Sequence, residues 1–181
     1  MMKTDSVNTG FVRAAAFCAA AFVLCGTPSA WAQEKQKVSY KVTADNSKYT
    51  QRNALDVGDE SGHQLVMFEI YRTFPANAPM INGVKLKEIW TRGYADYVNN
   101  NGISNNYGVY ALENGDKFYT FSSTMGQADA AGKRTTVSVG SIRGGTGKLA
   151  GMKGMVRSTG VSDGKSGFNE TQSEIEYWIA K

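Results

Sequence analysis

Ser141-Ile142-Arg143-Gly144-Gly145-Thr146-Gly147-Lys148-Leu149-Ala150-Gly151-Met152-Lys153-Gly154 holds the densest run of glycine in the chain, and its reading decides the fold. Its neighbours alternate like strands, so the run predicts a tight turn whose backbone takes positive φ or passes close to another strand. Only glycine does either without strain. Gly144, Gly145, Gly147, Gly151 and Gly154 are therefore read as a structural corner. Two nucleotide readings of the same letters fail. Gly145-Thr146-Gly147-Lys148-Leu149-Ala150 satisfies a loose dinucleotide fingerprint, which works only where a strand feeds a helix whose N-terminal amides hold a pyrophosphate. Gly151, Gly154 and Gly160 interrupt any such helix, at about 1 kcal/mol each. A P-loop is excluded because Leu149 stands where a hydroxyl would hold magnesium, and Ile142 where the first glycine belongs.

Outward from the corner the pattern is strand after strand. Thr135–Ile142 precedes it; Met152–Val161, a turn at Asp163-Gly164 and Phe168–Ile179 follow. Upstream, Val38–Thr43, Gln64–Phe74, Val84–Val98, Tyr107–Leu112 and Lys117–Thr124 are β-rich. Between them lie a polar segment from Asp45 to Arg52, a stop at Pro75 and Pro79, a break at Asn99-Asn100-Asn101-Gly102, and Glu113-Asn114-Gly115-Asp116, whose Asn-Gly suits a type I′ hairpin. This makes about eight strands and no sustained helical period. An all-β sandwich or barrel follows.

The corner resembles the Gly-Gly-Thr-Gly-aromatic/aliphatic-x-Gly-x-x-Gly signature of the allene oxide cyclase and dirigent barrels, with a looser similarity over Val38–Ile179. That resemblance implies a closed, mostly antiparallel, calycin-like barrel of eight strands around a ligand cavity. It carries no catalytic residue across, and the catalytic set is left unknown.

The chain opens Met1-Met2-Lys3, with Arg13, an apolar run Ala14–Cys25 and Ala30-Trp31-Ala32 before Gln33. Residues 1–32 are read as a secretory signal peptide and 33–181 as one β-barrel domain, placed in the periplasm or secreted from a bacterial envelope. Cys25 invites a lipoprotein reading, which Leu24 before it disfavours. Both cysteines, Cys18 and Cys25, fall in this segment, so the mature chain offers no disulfide, thiolate or cysteine-zinc site. It keeps 18 basic against 15 acidic residues, too weak and scattered a balance to argue for nucleic acid.

Strand parity gives the candidate site. In the last strand Glu170, Gln172, Glu174 and Glu176 are read as wet, and Thr171, Ser173, Ile175, Tyr177 and Ile179 as inward. In Val84–Val98 the even positions include Glu88, Trp90, Arg92, Tyr94 and Asp96, mixing aromatics with charge. Turned inward, these would line a lumen. Same-face neighbours lie ~7 Å apart, so charge pairing needs adjacent strands, with Glu69 or Arg72 as partners. Such a lumen suits an organic ligand with one polar end. The same face also reads as a wet exterior, or as an ion pair closing one barrel end.

His63, the only histidine, is read as an exposed loop residue, and with no cysteine beside it no metal site is expected. Gly160-Val161-Ser162-Asp163-Gly164 spells a nucleophile elbow, but no histidine follows it. A membrane barrel is disfavoured by the glutamates of the last strand. The expectation is a barrel binding a small, largely apolar organic molecule without transforming it, with no cofactor, no stable membrane insertion and a possible second copy, which outward Ile89 or Tyr97 would favour. The alternative is a cofactor-independent cyclase or isomerase, or a dirigent-like protein steering a reactive molecule.

Overall fold

The computed structural model describes residues 34–163 and 165–180. The proposed signal segment and Gly164 lie outside the described residues. Ten strands follow in order: β1 (Gln36–Val42), β2 (Ser47–Asp56), β3 (His63–Thr73), β4 (Met80–Ile81), β5 (Val84–Val98), β6 (Asn101–Leu112), β7 (Lys117–Ala128), β8 (Lys133–Gly145), β9 (Met152–Asp163) and β10 (Phe168–Ile179). The only helical pieces among the described residues are 3₁₀ turns at Ala44–Asn46 and Gly147–Leu149.

All pairings are antiparallel, in the order β1-β10-β9-β8-β7-β6-β5-β3-β2, with β4 beside β5. The all-β expectation holds. The closed eight-stranded barrel does not: there are ten strands among the described residues, and the ladder is open between its two edges, β1 and β2. These edges are consecutive in the chain and joined by the Ala44–Asn46 turn. β1 pairs only with Thr171–Tyr177, which leaves the start of β10 without a ladder partner on that side. There Asn169 bridges the seam instead: its Oδ1 accepts from Ser47 Oγ and from Arg72, both at 3.2 Å. Beside the free edge of β1 runs the segment Thr73–Pro79, where Pro75 and Pro79 have no N–H to offer a ladder.

Two strands were invisible to pattern. β2 is exposed at every residue except Ser47, so it shows no alternation, and β4 is two residues long. The Asn99-Asn100 break is a hairpin turn with both residues at positive φ, 52° and 63°, so β6 begins at once. The Glu113–Gly115 loop is not type I′. Only Gly115 there takes positive φ (88°), with Gly115 N–H donating to Leu112 O at 3.0 Å: a type I turn closed by a left-handed glycine.

The glycine corner does what its composition predicts. Gly147 sits at φ 53°, and a Cβ on Gly154, at φ 147°, would lie 2.0 Å from Glu176 O. The turn drives Leu149 into an apolar plug with Ile81, Leu86, Phe118, Met152, Ile175 and Tyr177, each at most 1% exposed. Phe118 stacks on Tyr110 with centroids 4.3 Å apart. Burying side chains of this size contributes about 1.5–3 kcal/mol each. This plug fills one end of the curled sheet and so fixes where the opposite, polar end begins.

Outside, two regions differ. β1, the Lys35 that precedes it and β10 carry a ladder of ion pairs, Lys35–Glu176, Lys37–Glu174 and Lys41–Glu170, at 2.8–2.9 Å. Over β6 to β8, Ile103, Met125 and Val137 are direct register partners and all are exposed.

Candidate functional site

Above the plug the inward positions change character. Ser104, Ser122, Thr124, Ser138, Ser158 and Ser173 replace the aliphatic residues, and with Asn106 and Asn169 they wall a cavity of about 140 Å³. That is near the size of a dry pocket able to hold one benzene ring. Thr124 Oγ1 donates to Ser138 Oγ at 2.9 Å, and Asn106 Nδ2 to Thr124 Oγ1 at 3.3 Å, so the hydroxyl rows are tied across strands. Val66, Phe68, Ile70 and Val156 supply apolar wall between them. The last-strand parity is as read: Asn169, Ser173, Ile175 and Tyr177 are buried on the inner face.

Of the seven residues picked for the lumen, Arg72 is the one that lines it. Glu69, Glu88, Trp90, Arg92, Tyr94 and Asp96 are on the outer face, Tyr94 at 55% exposure. For the five on β5 the cause is a register shift between Leu86 and Glu88, a bulge that flips strand parity, while Glu69 lies on β3 at the parity opposite to buried Val66 and Ile70. Leu86 points inward from an even position, but from Ile89 onward the odd positions do, with Ile89 buried and Thr91 and Tyr97 on the cavity wall. Ile89 and Tyr97 are thus interior, not part of an outer apolar face.

The displaced residues form their own outer cluster. Arg92 Nε donates to Glu69 Oε2 at 2.6 Å, the pairing expected across adjacent strands. Hydrogen bonds from Thr50, and then from Arg92, hold the Glu69 carboxyl below its usual range. Tyr71 packs on Trp90 with centroids 4.4 Å apart, and both donate to Glu88, at 3.0 and 3.2 Å.

Arg72 is held from two sides. Nη1 donates to Thr91 Oγ1 at 2.9 Å and Nη2 to Asn169 Oδ1 at 3.2 Å, while Nε is enclosed and has no partner among the described residues. Beside it lie Tyr40 and Tyr110, both 8% exposed. Burial pushes both phenols up, Tyr40 well above its ordinary value, so both remain protonated donors at neutral pH.

At the far end Arg134 lies over the Tyr97 ring, 3.9 Å from its centroid, and donates to the Tyr97 hydroxyl and to Gly102 O. Gly126 makes room, since a Cβ there would meet Arg134 Nε at 2.0 Å. Sequence reasoning missed Arg134, Tyr40 and Tyr110. Arg134 stands one residue before the strand read at Thr135–Ile142, on its even parity, and nothing in the sequence marked that parity as inner.

His63 is not a loop residue but the first of β3. Its Nδ1 lies 2.6 Å from Asp59 and its Nε2 2.8 Å from Asp96, and hydrogen bonds to Asp96 and then Asp59 raise its pKa. Asp59, Glu60 and His63 bring three potential ligand atoms within 4.8 Å, yet both ring nitrogens are already engaged by carboxylates. Ser162 sits in a hairpin strand, not at a strand-to-helix turn, so no nucleophile elbow is present there.

No protein-family model matches the chain, and no curated protein does. One solved structure, titled pyocyanin demethylase, aligns over 80% of this chain and 99% of its own, with 15% identity and a TM-score of 0.38. A likeness at that level carries no argument, so the reading rests on this chain's residues.

Proposed function

We propose that this chain binds a small organic molecule inside its curled sheet and does not transform it. The observation that carries the reading is the change of the interior from an apolar plug to a hydroxyl-lined cavity with a fixed guanidinium in its wall. A chain needing only stability gains more by continuing the aliphatic plug, because enclosed polar groups must each be matched by a partner. The glycine corner, which resembles that of ligand-holding barrels, supports the same reading.

Tyr40 and Tyr110 favour a second reading, a cofactor-free cyclase or isomerase, since paired phenols beside an arginine can stabilise an oxyanion. Against it, no histidine and no inward-directed carboxylate lines the cavity among the described residues, so proton abstraction has no base there. Residues 1–32 are proposed to direct export to the periplasm or exterior, which N-terminal sequencing of exported protein at Gln33 would test.

Native mass spectrometry of the purified protein tests the binding reading. A molecule retained natively and released on denaturation supports it. A chain that stays empty after exposure to cell extract counts against it.

A further inference from the structure

The cavity carries three guanidinium groups, Arg52, Arg72 and Arg134, and one acidic residue on its rim, Glu170, which is turned to Lys41 at 2.9 Å. No ion pair to Arg72 or Arg134 occurs among the described residues. Each of these two is oriented by neutral acceptors: Thr91 and Asn169 for one, Tyr97 and the Gly102 carbonyl for the other. Each keeps an enclosed Nε without a partner.

A guanidinium is charged at any physiological pH, and a cation enclosed without counter-charge is the arrangement that burial penalises most. Neighbouring phenols supply no counter-charge, because Tyr40 and Tyr110 are protonated and neutral. What would relieve it is an anion, and a carboxylate fits the arginine fork best when it accepts from a fixed N–H. The rest of the wall limits the remainder of the ligand. Phe68, Ile70 and Val66 give it an apolar side, and about 140 Å³ holds one ring but not a long acyl chain.

We propose that the cavity is an anion site whose ligand is a small aromatic carboxylate, its carboxyl group on the Arg72 guanidinium through the Nη hydrogens that Thr91 and Asn169 leave free, and its ring against the apolar wall. This rests on the ligand-binding reading and names its chemical class.

Benzoate and benzamide test it, being matched in size and differing in charge. Calorimetric titration of the purified protein is expected to show benzoate binding at least tenfold tighter than benzamide. Arg72→Met is expected to lose at least tenfold in benzoate affinity and so to close the gap between benzoate and benzamide, with Arg72→Lys between. In wild-type protein, which removes any question of misfolding, the Arg72 guanidinium resonances are expected to shift on benzoate addition. Equal affinity for the two probes, or Arg72 guanidinium resonances that do not move, overturns the anion proposal and leaves the cavity reading standing. Inorganic phosphate displacing benzoate at equal concentration overturns the aromatic part. No binding of any probe, with no co-purified molecule, overturns both readings together.

Discussion

The two ends of the interior use the same strands and opposite chemistry. Toward the glycine corner, inward positions of β5 to β10 are Leu86, Leu112, Phe118, Ile142, Met152 and Ile175, all buried. A few residues further along the same strands they become Thr91, Ser104, Ser122, Ser138, Ser158 and Thr171 around a cavity. The difference teaches that apolar packing and polar lining have been separated along the strand direction: one end excludes water to hold the fold, and the other gives up packing to keep polar groups oriented, as the proposed binding requires.

Breaking the plug has the largest expected effect. Phe118→Ala removes a fully buried ring stacked on Tyr110 and is expected to lower stability by about 3–5 kcal/mol. Urea unfolding measures this, and a loss like that of an exposed residue would deny the plug its role. Next is the corner. Gly154→Ala forces a Cβ against Glu176 O at positive φ, with an expected loss of about 1–3 kcal/mol in the same assay.

At the polar end the sign should change. Arg72→Met replaces an enclosed cation lacking a charged partner, so stability is expected to stay level or rise by about 1 kcal/mol while ligand retention falls. A marked loss of stability would instead make Arg72 a seam residue that holds Asn169 in place.

Two smaller effects lie outside the interior. The His63 pKa is raised in the folded chain, so the stability it contributes is fully present below its unfolded value of about 6.5 and is lost as pH rises through the folded value. Melting temperatures of wild type and His63→Gln should therefore differ most in mildly acidic buffer and converge at alkaline pH; a constant gap would place the effect in packing. Smallest is Arg92→Ala. The Arg92–Glu69 pair faces outward with Arg92 exposed, and its removal should leave the urea midpoint unchanged within error.

Much of this fold is legible in particular residues. Asn-Gly and the glycine run mark turns, and the glutamates of β10 give its faces correctly. The Arg92–Glu69 pairing also follows from strand spacing. The site was less legible for one local reason. The bulge between Leu86 and Glu88 inserts a single residue, and every side chain after it changes face. Trp90 and Tyr94 look like cavity walls in the sequence because constant parity puts them with Leu86.

The sequence by itself determined the strand class, the turn positions and the structural place of the glycines, because alternation and backbone freedom are local properties. Only the tertiary structure decided which face is inner, that the sheet stays open between β1 and β2, and that Arg72 and Arg134 meet the same cavity. Those outcomes depend on register, on two prolines lying beside a free edge, and on strands distant in sequence curling to face one another.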